Sequence, residues 1–409
     1  MAGPEINKSR GNHPMESAAR EPLRRRLPVA VRMAFFYAVS FSALGVIVPF
    51  LPVWLAHRGL DPIDISLVLG AGQVVRIFGN TGFGRLADRL GERRRILMGL
   101  TVISFLSFLL LLPAQGFFAL LGAYVIASLF YPAQVSLTEN LGVLAAYQRG
   151  YDYGIVRLWG SVTFIAATLV VGRLTPMTGP EGVIWVAIGT LGLTAASAWL
   201  LPDVRVPLPA VRRRGAVAAF LRNPVFLLFL GANALVQGSH AAYYTFSALY
   251  WQKAGLSDFT IGLIWSEGVL AEIVLFAISA RFVNRLRPTT LIVVAGFGGI
   301  LRWGVIAMTT DVAALLAVNW LHAASFAFAH LGAMHFIPRA IPPDLTATAQ
   351  GLYSSVGISV AVAATTMALG PLYAVAGGAI FAIMAGFCAL SAILAIALDR
   401  RWDGRPITL

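Results

Sequence analysis

Between residues 31 and 398 the chain is a succession of apolar stretches separated by short loops, and arginine is concentrated in every second loop. A helix needs about 20 apolar residues to span the hydrocarbon of a bilayer, where only closed backbone hydrogen bonding is tolerated. By that measure the spans fall near 31–55, 64–83, 96–112, 117–141, 153–172, 183–201, 226–251, 261–280, 291–308, 312–337, 348–369 and 379–398. The expectation is an all-α integral membrane protein with twelve transmembrane helices. Composition agrees, because 58% of the 409 residues are hydrophobic and only 12% are charged. A soluble core of that size would need more charge to cover its surface.

The net charge of +13 would suit a nucleic-acid partner, but the placement of the basic residues argues against one. About 25 of the 31 Lys and Arg lie in the N-terminal tail, the connections 84–95, 145–152, 202–224, 281–290 and 338–347, and the C-terminus. Only Arg58, Arg173 and Lys253 occupy the opposite loops. Basic residues mark the cytoplasmic side, so both termini are expected there. Residues 1–27 are polar and read as a disordered cytoplasmic tail with no signal-peptide cleavage pattern. The expected divisions are an N-terminal six-helix bundle over 28–201, a basic cytoplasmic linker over 202–224, a C-terminal six-helix bundle over 225–398 and a cytoplasmic tail over 399–409. Cys388 is the single cysteine and rules out an internal disulfide framework.

Duplicated halves should retain weak self-similarity. A shift of 196 residues superposes Gly59 on Gly255, Gly72 on Gly268, Arg85 on Arg281 and Arg89-Leu90 on Arg285-Leu286 without a gap. It also sets Arg76 opposite Glu272, two charges of opposite sign at equivalent depth. A parallel repeat about a pseudo-two-fold axis, with a central cavity between two bundles, follows as the expected architecture.

Charges inside spans are the candidate site, since each costs at least about 2.5–3.5 kcal/mol and must face a partner or a wet cavity. Glu139 of the fourth span and Arg157 of the fifth lie on polar stripes with Ser136 and Ser161 and are expected to pair, either to orient a substrate or simply to pin the two helices. Arg76 shares a stripe with Gln73 and Asn80. Glu267 and Glu272 are about 140° apart around the eighth span and cannot face one point; Glu272, as repeat mate of Arg76, is the better cavity residue. Arg302 is expected to pair with one of these acids, to bind an anion, or to snorkel to the helix end. His240 and Tyr244 of the seventh span could line the cavity, whereas Tyr250 and Trp251 read as interfacial belt residues.

His322, His330 and His335 of the tenth span have neither the spacing nor the cysteines of a zinc site, so no metal is expected; His322 or His330 suits proton relay or hydrogen bonding. Gly70, Gly72, Gly79 and Gly82 read as helix-packing glycines. No phosphate-binding loop follows a strand and no catalytic constellation stands out, so neither cofactor nor enzyme activity is expected.

Two resemblances sharpen this. Gly84, Asp88, Gly91 and Arg93 stand in a G-x-x-x-D-x-x-G-x-R-R-x pattern that resembles the cytoplasmic gating signature of the major facilitator superfamily, with a degraded copy at 280–287 in which Asn284 replaces the acid. There the glycines would allow close helix approach and a tight turn, and Asp88 would latch the two bundles in one state of the cycle. Asp152 to Ser161, Gln237 to Trp251, Arg302-Trp303-Gly304, Leu321-His322 and His330 to Met334 resemble the phenylpropionic acid permease family of proton symporters, which is similar to lactose permease. The resemblance implies proton-coupled uptake of a small organic solute by a protein of the bacterial inner membrane. The chain departs from lactose permease in carrying Ser325 where that protein has an acid, and two acids on the eighth span. With no acid on the tenth span, Glu272 is the favoured proton carrier. An exporter of a drug, sugar or metabolite by proton antiport on the same fold is the alternative; a membrane sensor or an intramembrane enzyme lacks the features each would need. The partners expected are substrate, proton and bilayer, with no nucleic acid and a monomeric state.

The orientation has a direct test. A membrane-impermeant thiol reagent applied to intact cells should reach a cysteine placed at Lys253 and miss one placed at Arg213; the reverse pattern would overturn the topology.

Overall fold

The computed structural model describes residues 23–204, 216–279, 281, 283–342 and 345–407. Among these residues the chain is all-helical, with no strand. Besides a short helix at Ala216–Phe220, the long helices among the described residues are labelled α1 (Leu23–His57), α2 (Pro62–Leu90), α3 (Arg93–Leu109), α4 (Gly116–Arg149), α5 (Tyr153–Thr178), α6 (Glu181–Ser197), α7 (Pro224–Lys253, broken after Gly238), α8 (Asp258–Ser279), α9 (Pro288–Met308), α10 (Val312–Ala340), α11 (Thr346–Leu352 continuing through Ala361–Ala376) and α12 (Ile380–Arg401). Among the described residues, ten helical stretches are long and apolar enough to cross a membrane. At 17 residues α3 falls just outside that set, and α11 with α12 forms one stretch of 54 residues interrupted by a turn at Gly377. The tail 1–22 and most of the linker, 205–215, lie outside the described residues.

Polar caps start the helices. Asp61 accepts from the Asp64 amide at 2.9 Å ahead of Pro62, Asp152 from Ile155 at 3.1 Å, and Asp311 from Ala314 at 2.9 Å. Asn223 accepts from Val225 and Phe226 ahead of Pro224. Each satisfies amide donors that a helix start leaves open. Gly91, at φ +63°, turns the chain between α2 and α3, as the signature requires. The outer surface is apolar, with Phe118 83% and Val375 92% exposed; patches of this kind are tolerated only against lipid.

The core is not uniform along the helices. Away from the Gly84–Arg95 loop, buried residues of both halves form one cluster, joining Phe50, Trp54 and Ile184 to Trp251, Ile261 and Trp303. Toward that loop it divides. Met33, Phe36, Tyr37 and Leu141 belong to one cluster drawn from residues 29–204, and Phe226, Phe229, Phe336 and Trp402 to another drawn from 220–407. Glycines make the crossings between halves at the joined end. A side chain at Gly172 would strike the backbone at Asp258, one at Gly262 would meet the Thr168 carbonyl at 3.0 Å, and Gly70 and Gly370 bring α2 against α11.

Other glycines pack within a half, Gly72 and Gly79 against α4. Gly82 and Gly84 have nothing within 4 Å of where a side chain would begin, so the close approach expected of them is not made. Trp251 is fully buried, which takes it out of the aromatic belt expected for it, while Tyr250 is half-buried and packs against Gly378. At the C-terminus, Trp402 is buried against Phe336 and the Ile407 amide donates to the Ala340 carbonyl at 2.8 Å, docking the segment after α12.

Candidate functional site

Two polar clusters occupy the interior. In the first half, Arg157 of α5 meets Glu139 of α4 at 2.6 Å, the expected pair, and reaches Ser161 at 3.4 Å. The Tyr153 hydroxyl donates to the second Glu139 oxygen, which Tyr37 of α1 also approaches at 3.4 Å. Phe41 lies beneath the guanidinium at 4.0 Å. Roughly a third of each charged side chain stays accessible, so the pair has solvent at hand as well as a partner. Sequence reasoning passed over Tyr153, although it stands one turn before Arg157 on the same face, which is the signal that could have found it.

The second cluster is built around Arg302. Its Nη2 donates to Asn319 at 2.7 Å and its Nη1 to the His322 Nδ1 at 2.7 Å, with Ser325 at 3.4 Å. Tyr243 and Trp303 both lie against the guanidinium, at 4.5 and 4.3 Å. Cation–π contacts of this kind reach about 2 kcal/mol each when desolvated. The residue is fully buried. Snorkelling is therefore excluded, and its link to a carboxylate is indirect. Because His322 Nδ1 accepts from the arginine, the imidazole proton belongs on Nε2, which faces Glu272 Oε1 of α8 at 2.6 Å. The order is Arg302, His322, Glu272, and it gives the histidine an acid partner.

Breaks in the helices make this arrangement possible. Helix α7 is interrupted at Ser239 and His240. His240 Nδ1 turns back to the Val236 carbonyl at 2.9 Å and its Nε2 meets Ser325 at 3.3 Å. Ser239 accepts from Trp303 Nε1 at 2.9 Å. A π-helical turn over Ala323–Phe328 follows His322 in α10, and a second over Tyr353–Val360 interrupts α11. Such turns reposition side chains and recur at functional sites. Gly268 of α8 has His322 and Asn319 where a side chain would begin.

The remaining candidates are separated from this chain of contacts. Glu267 accepts from Trp320 Nε1 at 2.6 Å on another face of α8, as the 140° step requires. His330 lies 3.4 Å from the Tyr353 hydroxyl. Tyr244 stacks on His240 at 5.9 Å between rings and lies in electrostatic range of both Glu272 and Arg76. Arg76 does not pair with Glu272; it reaches Gln73 at 3.4 Å. Asp88 pairs with Arg93 at 2.9 Å, and Arg93 also reaches Asn140 at 2.5 Å, so these contacts of the signature stay inside the first half. The degraded copy at 280–287 lies partly outside the described residues. No group of three His, Cys, Asp or Glu side chains able to hold a metal occurs among the described residues.

An all-helical fold with an apolar exterior and paired charges inside suits a membrane protein, and the chain belongs to the MFS_1 like family, which matches residues 30–385. It is 34% identical over 367 residues to a probable 3-phenylpropionic acid transporter of Escherichia coli (strain K12), covering 86% of this chain and 93% of the relative. It is 26% identical to a maltose permease of Geobacillus stearothermophilus, covering 79% and 82%. Among solved structures, a variant of the nucleoside transporter NupG superposes with a TM-score of 0.81 at 16% identity, covering 90% of this chain and 99% of that one. The relatives and the fold are those of major facilitator transporters and not of enzymes.

Arg302 carries the first mutational test. Lysine cannot hold Asn319 and His322 together or fill the gap between Tyr243 and Trp303. Arg302→Lys should lower stability by about 2–4 kcal/mol, read as a fall in the thermal unfolding midpoint of the purified protein. An unchanged midpoint would show that the cluster does not hold α9 to α10.

Proposed function

We propose that the protein is a proton-coupled symporter that takes up a small organic solute, an aromatic carboxylic acid, across the bacterial inner membrane by alternating access. The observation that carries this reading is the Arg302, His322, Glu272 chain, in which a carboxylate on α8 is tied through one imidazole to a buried guanidinium. Loading a proton on Glu272 weakens its attraction to the groups behind it, so protonation changes how α8, α9 and α10 hold together. Glu139 and Arg157 form the substrate-orienting pair of the opposite half. The 34% identical relative named for 3-phenylpropionic acid supports an aromatic acid as cargo, as do the aromatic rings of Tyr243, Tyr244 and Phe326 beside the charges.

The architecture that goes with this function is two six-helix bundles, α1–α6 and α7–α12, related by the internal repeat, with both termini cytoplasmic and the protein acting as a monomer. A core joined at one end and divided at the other supports a cavity opening toward the Gly84–Arg95 side. In that state Asp88 engages Arg93 of its own half, and its latching contact with the other bundle forms when the cavity closes on that side.

Coupling is tested at Glu272. Glu272→Gln keeps the size and hydrogen-bonding reach of the side chain but carries no titrating proton. Proton-driven accumulation should be abolished, while counterflow exchange, which needs no net proton movement, should persist. Accumulation against a gradient by the variant would refute the assignment and make Glu267 the next carrier to test.

A further inference from the structure

Of the arginines Arg76, Arg157 and Arg302, set well inside their spans, two have their charge answered, Arg157 by Glu139 and Arg302 by Glu272 through His322. Arg76 has no carboxylate within ion-pair distance among the described residues, and the hydrogen bond it makes runs to Gln73 one turn away. Its side chain is exposed, yet it does not face lipid. The lipid-facing residue of that turn is Phe78, 67% exposed and about 200° around the helix from it. Arg76 lies instead in electrostatic range of Tyr124 and Tyr131 of α4 and of Tyr244 of α7, which belongs to the other half. It thus stands in the gap between halves. The third carboxylate of the spans, Glu267, is held by Trp320 on another face of α8, so Arg76 stands without an anion beside it among the described residues, and inside a membrane such a charge calls for one.

The neighbours suit an organic one. The Tyr131 hydroxyl is buried, at 6% exposure for the residue, and has no hydrogen-bond partner among the described residues. Tyr244 is half-buried and in range of both Arg76 and Glu272. We propose that Arg76 recognises the substrate carboxylate, holding it together with the Tyr131 hydroxyl, while Tyr244 receives the aromatic ring between this anion site and Glu272. The assignment rests on the reading of the cargo as an aromatic acid. It separates the two charges of the cycle: the anion goes to α2 and α4, the proton to α8. It also makes the charge of the head group the feature that α2 selects, a role fitted to arginine because its planar fork matches a carboxylate.

The test compares 3-phenylpropionate with the neutral 3-phenylpropanol in binding to the purified full-length protein. Wild type should bind the acid more tightly than the alcohol. Arg76→Gln should weaken the acid by at least about tenfold, the loss of a hydrogen-bonded charge partner, and leave the alcohol within about twofold. Tyr131→Phe keeps the ring's packing on Phe108 and removes only the donor. It should weaken the acid by about three- to tenfold, again sparing the alcohol, so the site is tested even if the arginine variant fails to fold. Acid binding unchanged in both variants would overturn the role of Arg76 and leave the aromatic-acid reading standing. Wild-type protein that binds neither the acid nor the alcohol would overturn that reading and this site with it.

Discussion

The burial of the Arg302 charge is the constraint on which the interior depends. A guanidinium that never deprotonates cannot sit at bilayer depth unless partners meet its charge. Asn319 and His322 accept from its two Nη groups, Tyr243 and Trp303 lie against it with their rings 5.9 Å apart, and its Nε has no partner among the described residues. Those four residues come from α7, α9 and α10, so one charge fixes the relative positions of three helices. Further out, His322 binds Glu272 and Ser325 binds His240, which adds α8 and the break in α7. The cost of the charge is met by partners that also form the site.

The same logic explains why the helices are irregular where they are. The break in α7 falls at Ser239 and His240, the two residues whose side chains meet Trp303 and Ser325. The π turn after His322 shifts the phase of α10 locally, so that Ser325 and His322 both reach Arg302. At the joined end of the molecule the opposite requirement holds. There Gly172 and Gly262 bring α5 and α8 into backbone contact, a close packing that supplies van der Waals attraction where lipid gives no hydrophobic drive. The contact is tight, and the Asp258 carboxylate beside it accepts from Gln252 of its own half, so the two halves can part without breaking that bond.

Much of this was legible in the sequence because the bilayer imposes strong rules. Span positions follow from apolar length, and the caps at Asp61, Asp152, Asn223 and Asp311 mark helix starts in the sequence itself. The Glu139 and Arg157 pair was readable because consecutive helices with facing polar stripes have few alternatives. The partnership of Glu272 with His322 was not. It joins α8 to α10 across the bundle, and helical period says which face a residue occupies but not which helix lies opposite. For the same reason Arg302 was expected beside an acid and stands one imidazole away from it. The packing role assigned to Gly82 failed because small residues are common in membrane helices whether or not a neighbour uses them.

The central claim is that one proton on Glu272 is linked to substrate binding, and linkage requires each ligand to alter the other's affinity equally. Proton uptake by the purified protein in lightly buffered solution, followed with a pH indicator as 3-phenylpropionate is added, measures that link directly. Wild type should take up protons as the acid binds, and Glu272→Gln should bind the acid without taking them up. Proton uptake of the same size in the variant would contradict the account.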